Sequence, residues 1–126
     1  MNEKELITLA LKGLPPTVNQ MYRSFRNRRY KTQETRDFQD NLVRILKLLW
    51  GDKPCFTGRA GLRLSFSQKD KRRWDIDNRV KALQDCLQAA GVIKDDAQID
   101  LLHLEREHGT QKTQTILTLT ELLSIN

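Results

Sequence analysis

The apolar residues of this chain switch repeatedly between two spacings, and this limits the fold more than any other feature. In residues 5–11, Ile7, Leu9 and Leu11 alternate with polar neighbours, the period of a strand with one buried face. Leu14-Pro15-Pro16 ends that strand, because proline cannot donate to a sheet ladder. In residues 32–50 the spacing becomes helical. Phe38, Leu42, Ile45 and Leu49 define one face, Thr32 or Thr35 is placed to cap it, and Gly51 and Pro54 stop it. Leu62, Leu64 and Phe66 restore the strand period. A second helical face follows through Ile76, Val80, Leu83, Leu87 and Ala90, with Gly91 placed to end it. Two more strands are expected, over residues 99–107 and 113–120, joined by a turn at Gly109-Thr110-Gln111-Lys112.

The expected order is β-α-β-α-β-β. This is an α/β fold of the α+β two-layer kind: a mixed β-sheet with two helices packed on it. A helical connection favours parallel early strands, and the last two strands are expected to form an antiparallel hairpin. Residues 17–31 show no period and read as a long functional loop. The whole of 1–126 reads as one domain, long enough to bury a core without staples.

No run of 18 apolar residues is present, so no membrane partner is expected. The charged start of the chain lacks a secretory h-region, and a cytoplasmic setting is expected. Cys55 and Cys86 are too few and too far apart for a disulfide framework or a zinc site, and read as small buried hydrophobes.

The formal charge is +6, and its placement is uneven. Residues 22–31 hold five basic side chains and no acid. Residues 69–73 (Lys-Asp-Lys-Arg-Arg) carry a net +3, so the rest of the chain is slightly acidic. Clustered Lys and Arg neutralise phosphates and release counterions, the footprint of a nucleic-acid binder.

Directly after the second basic run comes Asp75-Ile76-Asp77, where an extended segment meets a helix. Asp95-Asp96 follows at the far end of that helix. Converging aspartates repel one another unless a cation compensates, and Mg²⁺ takes hard carboxylate ligands. Lys81, four residues after Asp77, can face the same side, or pair with Asp77 or Asp85 as an ordinary helix lysine. Singly, each of these is commonplace. Together they place a backbone grip beside an acidic site, as nuclease chemistry requires.

The layout resembles the RusA family of Holliday junction resolvases, found in bacteria and their phages. The resemblance spans nearly the whole chain. Its specific parts are Arg72-Arg73-Trp74-Asp75-Ile76-Asp77-Asn78 with Lys81, then Gly91-Val92-Ile93 with Asp95-Asp96-Ala97-Gln98, and the earlier Pro15-Pro16-Thr17-Val18-Asn19-Gln20-Met21-Tyr22-Arg23. It implies that Asp75, Asp77 and Asp96 are the metal-binding carboxylates and Lys81 the essential lysine. It places Thr17, Asn19, Gln20, Arg23, Lys71, Arg72, Arg73 and Asn78 on DNA-contacting segments. It further implies a homodimer that cuts branched DNA with Mg²⁺, for which Mn²⁺ can substitute, and no small-molecule cofactor. The basic run differs from the family pattern in holding Asp70 and in setting Trp74 against the motif.

Several residues keep two readings. Trp74 either stacks on a base or anchors a strand end. Tyr22, Phe25 and Tyr30 either stack on nucleic acid or tie their loop to the domain. Asn19 either contacts DNA or forms a turn after the prolines. His103 and His108 lack partners for a metal site and read as surface strand positions, and Trp50 reads as core. Three rival functions remain: a non-catalytic basic DNA-binding protein, a protein-interaction domain with a basic surface, and a metal-dependent nuclease for other branched DNA.

Overall fold

A computed structural model describes residues 2–124. Strand β1 is Asn2–Lys12, β4 is Ala60–Gln68, β5 is Ile99–His108 and β6 is Gln114–Leu123. They form one mixed sheet in the order β1-β6-β4-β5. Helix α2 (Gln33–Trp50) and helix α3 (Val80–Ala89) pack on one face. Between them and the sheet lie Leu42, Leu46, Leu62, Leu64, Phe66, Leu83, Leu87, Leu117 and Leu119, all essentially solvent-free. Each such side chain contributes about 1.5–3 kcal/mol of transfer free energy. The opposite sheet face carries Thr8, Arg63, Ser65 and Thr118 and meets water, as one face of such a sheet can.

The predicted final hairpin is not formed. β5 lies parallel to β4, joined to it through α3, while β6 pairs antiparallel with both β4 and β1. The composition of the strands explains the choice. β5 carries Asp100, His103, Glu105, Arg106 and Glu107, and charged residues suit a sheet edge. β6 offers Thr, Ile and Leu with one acid, Glu121, and suits the centre. Residues 109–113 therefore cross over the end of β4. Thr110 N–H donates to Gln68 O at 3.1 Å, and Lys69 N–H donates to Thr113 Oγ1 at 3.1 Å. β1 and β4 do point the same way, with β6 between them.

Residues 18–31 are not a structureless loop. Helix α1 (Val18–Met21) is followed by β2 (Tyr22–Phe25) and β3 (Arg28–Lys31), a separate two-stranded sheet. Arg26 and Asn27 turn the hairpin with φ of +51° and +63°, the two-residue turn whose twist matches paired strands. Met21 is fully buried and fixes the base of this arm, and Thr32 N–H closes it on Met21 O at 3.0 Å.

Thr32 caps α2, its Oγ1 accepting from Thr35 N–H at 3.2 Å. The buried stripe of α2 is Thr35, Leu42, Leu46 and Trp50. Phe38 and Ile45 flank it half-buried, and Leu49 is exposed, contrary to the face read from its spacing. The buried stripe runs instead through Leu46 and Trp50. Trp50 is core as expected. Cys86 is buried, which pushes its thiol up to about 12. Cys55 is exposed rather than buried, because it lies in the connection before β4. No helix among the described residues is long and apolar enough to cross a membrane.

Candidate functional site

At the C-terminal end of β4 the chain turns through residues 69–75, and Gln68 organises that turn. Its side chain is buried. Its Nε2 donates to Asp70 Oδ1 and, at 3.0 Å, to Arg72 O, while its Oε1 accepts from Trp74 Nε1 at 2.5 Å. Asp70, the acid within the basic run, also accepts from Arg72 N–H at 2.9 Å. The Gln68 and Arg72 hydrogen bonds hold its carboxyl below the usual carboxylate range. Asp70 is thus a turn former that presents Lys71, Arg72 and Arg73 to solvent.

Trp74 is an anchor. Its ring meets Phe66 edge-on, and the guanidiniums of Arg79 and Arg106 lie 4.6 and 4.9 Å from its centroid. Arg106 donates to Trp74 O, and Arg79 donates to Pro15 O. Burial, with the charge of Arg72, pulls the Arg79 pKa down. The bond to Pro15 ties the Pro15-Pro16-Thr17 segment to the 3-10 turn Ile76–Arg79.

That fixed frame sets out the acidic motif. Asp75 stands in extended conformation just before the turn, with no capping bond from its side chain. It shares a cleft with Lys71, Arg73, Trp74, Arg106 and His108. Asp77 is exposed within the turn, and Asn78 is half-buried beside it. Arg106 was not marked in the sequence, and His108 read only as a surface strand position, because they follow Asp77 at a distance of 29 and 31 residues. The signal for them is strand alternation, which puts both on the helix-bearing face of β5 opposite Phe66 and Gln68.

Lys81 is exposed, and its Nζ lies 3.3 Å from Asp85 Oδ1, one turn further along α3. Of the two partners open to it, the structure shows Asp85. Asp95 caps the 3-10 turn Asp96–Gln98, its Oδ1 accepting from Ala97 N–H at 2.9 Å. That bond, with a side-chain hydrogen bond to Asp96, lowers the Asp95 pKa. Gln98 closes the reciprocal cap and donates to Phe56 O and Gly58 O at 2.8 and 2.9 Å. Asp95 is therefore committed to local structure.

The two acidic groups lie at opposite ends of the sheet. Asp75 and Asp77 follow the end of β4, beside Arg106 of β5. Asp96 precedes the start of β5, where Ile99 pairs with Ala60. The seven-residue span from Ile99 to Arg106 is about 23 Å at the usual strand rise. Among the described residues no three His, Cys, Asp or Glu side chains are grouped to hold a metal ion. Within one chain, Asp75, Asp77 and Asp96 do not form a three-carboxylate metal site.

The remaining residues divide. Asn19, Gln20 and Arg23 line a second cleft with Tyr22, Thr32 and Gln33. Thr17 is buried and occupied: it caps α1 by accepting from Gln20 N–H, and the Gln20 side chain accepts from Thr17 N–H. Asn19 is exposed. Phe25 and Tyr30 are exposed on the hairpin, while Tyr22 is half-buried with Arg29 4.3 Å over its ring. His103 and His108 are surface strand residues, His103 pairing with Glu105 at 2.9 Å.

A family model described as endodeoxyribonuclease RusA matches residues 13–120. The crossover junction endodeoxyribonuclease RusA of Escherichia coli strain K12 is 34% identical over 111 residues, covering 86% of this chain and 89% of its own length. The proteins of the same name from Shigella sonnei strain Ss046 and Enterobacteria phage 82 match with the same identity and coverage.

Proposed function

The chain belongs to the RusA endodeoxyribonuclease family, and from that premise we propose that it resolves four-way DNA junctions by Mg²⁺-dependent phosphodiester hydrolysis with paired nicks. The observation that carries this reading is the cleft that sets Asp75 among Lys71, Arg73, Arg106 and His108. Four basic side chains around one carboxylate suit a phosphate drawn against an acidic group. Arg72 on the same turn and the Arg-rich hairpin extend the grip on the backbone.

The protein acts as a homodimer in this reading. A two-fold dimer presents two equivalent sites to a two-fold junction. The separation of Asp96 from Asp75 and Asp77 supports a site shared between protomers. β5 is an edge strand with Leu102 exposed on its helix-bearing face. Pairing it antiparallel with β5 of a second copy lays the start of one strand beside the end of the other. Asp96 then approaches the cleft that holds Asp75 of the partner subunit. The other sheet edge, β1, carries none of these groups.

Asp75 and Asp77 of one protomer, with Asp96 of the other, would hold the ion. Bound Mg²⁺ supplies activated water and neutralises charge at the phosphate. Lys81, released from Asp85, offers a cation to the developing charge on the phosphate oxygens. Arg73 and Lys71 fix the backbone, and the Gln68–Trp74 frame keeps them in place.

Cleavage of synthetic junction, fork and duplex DNA, in Mg²⁺ and in EDTA, tests the proposal. Junction cutting only with Mg²⁺ is expected, and Asp77→Asn should bind the junction without cutting it. Binding that ignores both Mg²⁺ and Asp77 would indicate a non-catalytic DNA-binding protein. Preference for forks would move the substrate to another branched structure.

A further inference from the structure

The end of the sheet that carries Asp75 also carries a basic groove the proposed chemistry does not use. Its rim is formed by Lys12 at the end of β1, Lys69 just past β4, and Lys112 in the crossing loop before β6. All three are exposed, and no carboxylate lines the groove. Ala10 and Leu11 form its apolar floor.

Its walls are fixed to one another. Gly13 N–H donates to Thr113 O at 2.9 Å, Thr115 Oγ1 donates to Gly13 O at 3.0 Å, and Lys69 N–H donates to Thr113 Oγ1. Gly13 holds φ of +82°, a turn that L side chains rarely adopt. The lysine stems are thus set on a rigid base at the ends of three neighbouring strands. With strands about 4.8 Å apart, Lys12 and Lys69 rise from backbones about 10 Å apart.

The groove and the cleft around Asp75 are joined by the turn of residues 69–75. Lys69 borders the groove, and Lys71, two residues on in the same turn, borders the cleft. Arg106 and His108, at the end of β5, stand on the helix-bearing side of the same end of the sheet. From Lys12 to Arg106 the basic groups cross all four strands, about 14 Å at the usual strand spacing. Asp75 lies at one end of this band.

We propose that Lys12, Lys69 and Lys112 form a phosphate rail that holds the duplex arm leading away from the cut site. This rests on the reading of the protein as a nuclease for branched DNA. The partner is duplex backbone, gripped without regard to base sequence, because ammonium groups over an apolar floor offer charge and no base-reading pattern. The rail fixes the direction in which one arm leaves the cleft.

The test is binding of a four-way junction across a range of salt by wild type, by Lys12→Ala/Lys69→Ala/Lys112→Ala, and by the corresponding triple Arg variant. Each lost phosphate contact lowers the slope of log affinity against log salt by about 0.9. The Ala variant should lose about two to three units of slope, and the Arg variant should keep wild-type affinity. The deficit should vanish on junctions whose arms are cut too short to reach the groove. An Ala variant with wild-type slope and affinity, while wild type binds and cuts the junction, would overturn the rail alone. Failure of wild type to bind branched DNA at any salt would overturn the rail and the nuclease reading together.

Discussion

The indole of Trp74 packs edge-on against Phe66, with ring centroids 5.4 Å apart and planes at 82°. Its nitrogen is held by Gln68, and two arginines lie over its ring. The indole thus positions the basic turn and the Asp75 cleft rather than waiting for a base. Trp74→Ala should destabilise the fold by about 3 kcal/mol, in the range for loss of a large packed aromatic. Trp74→Phe keeps the ring contact and loses only the Gln68 bond, so it should cost about 1 kcal/mol. Urea denaturation checks both. Equal, negligible losses would mean that the indole is free.

Lys81 and Asp85 form an exposed pair one helical turn apart. Such pairs stabilise by well under 1 kcal/mol. Asp85→Ala should therefore leave stability within about 0.5 kcal/mol and leave junction cutting intact. Lys81→Met should unfold at the wild-type temperature yet lose at least about 100-fold in cleavage rate, the scale of one transition-state cation. A Lys81→Met enzyme of normal rate would reduce this lysine to a surface residue.

Glu3 answers to pH. Its carboxylate accepts from Arg63 Nη2 and Nε, at 2.6 and 3.1 Å, and from the Thr120 hydroxyl at 2.9 Å. The Arg63 bond, then the Thr120 bond, lowers its pKa from 4.5. A carboxyl with a folded pKa below its unfolded one adds stability that is fully present above the unfolded value and is lost as pH falls through the folded one. Glu3→Gln should therefore melt below wild type at pH 7. The gap should close as the medium is acidified below 4.5. A gap that persists unchanged at pH 3 would assign it to packing over Gly61, where Thr120 Oγ1 and Glu3 Oε1 fill the space a β-carbon would take.

These contacts show which parts of the molecule were legible in the sequence. β1, β4, α2 and α3 were, because Ile7, Leu64, Leu42 and Leu83 recur at fixed periods dictated by one buried face, although the face of α2 was read with Leu49 where the structure buries Leu46. The hairpin of β2 and β3 was not. Each strand has four residues, nearly all exposed, so burial leaves no alternation to read. The place of β6 was not legible either. Adjacency in sequence favours a hairpin with β5, and only the contrast between charged β5 and apolar β6 argues against it. At the site, Asp75 and Asp77 were marked by their spacing and the basic run. The distance between them and Asp96 was hidden, because a helix of unknown direction stands between.

That distance gives the strongest test of a shared site. Mixing Asp77→Asn with Asp96→Asn protein, and allowing subunits to exchange, makes about half of the dimers mixed. If each site takes Asp75 and Asp77 from one protomer and Asp96 from the other, a mixed dimer has one site with both lesions and one with none. Neither parent should cut, whereas the mixture should recover about a quarter of the wild-type sites, seen as single nicks rather than paired ones. If all three aspartates of a site came from one chain, every chain in the mixture would carry a lesion and no activity would return. Substituting Leu102→Glu on the β5 edge should abolish this recovery and leave the wild-type background monomeric on a sizing column, because a charge on an apolar pairing edge opposes association. Recovery that survives a monomerising Leu102→Glu would place the subunit contact elsewhere.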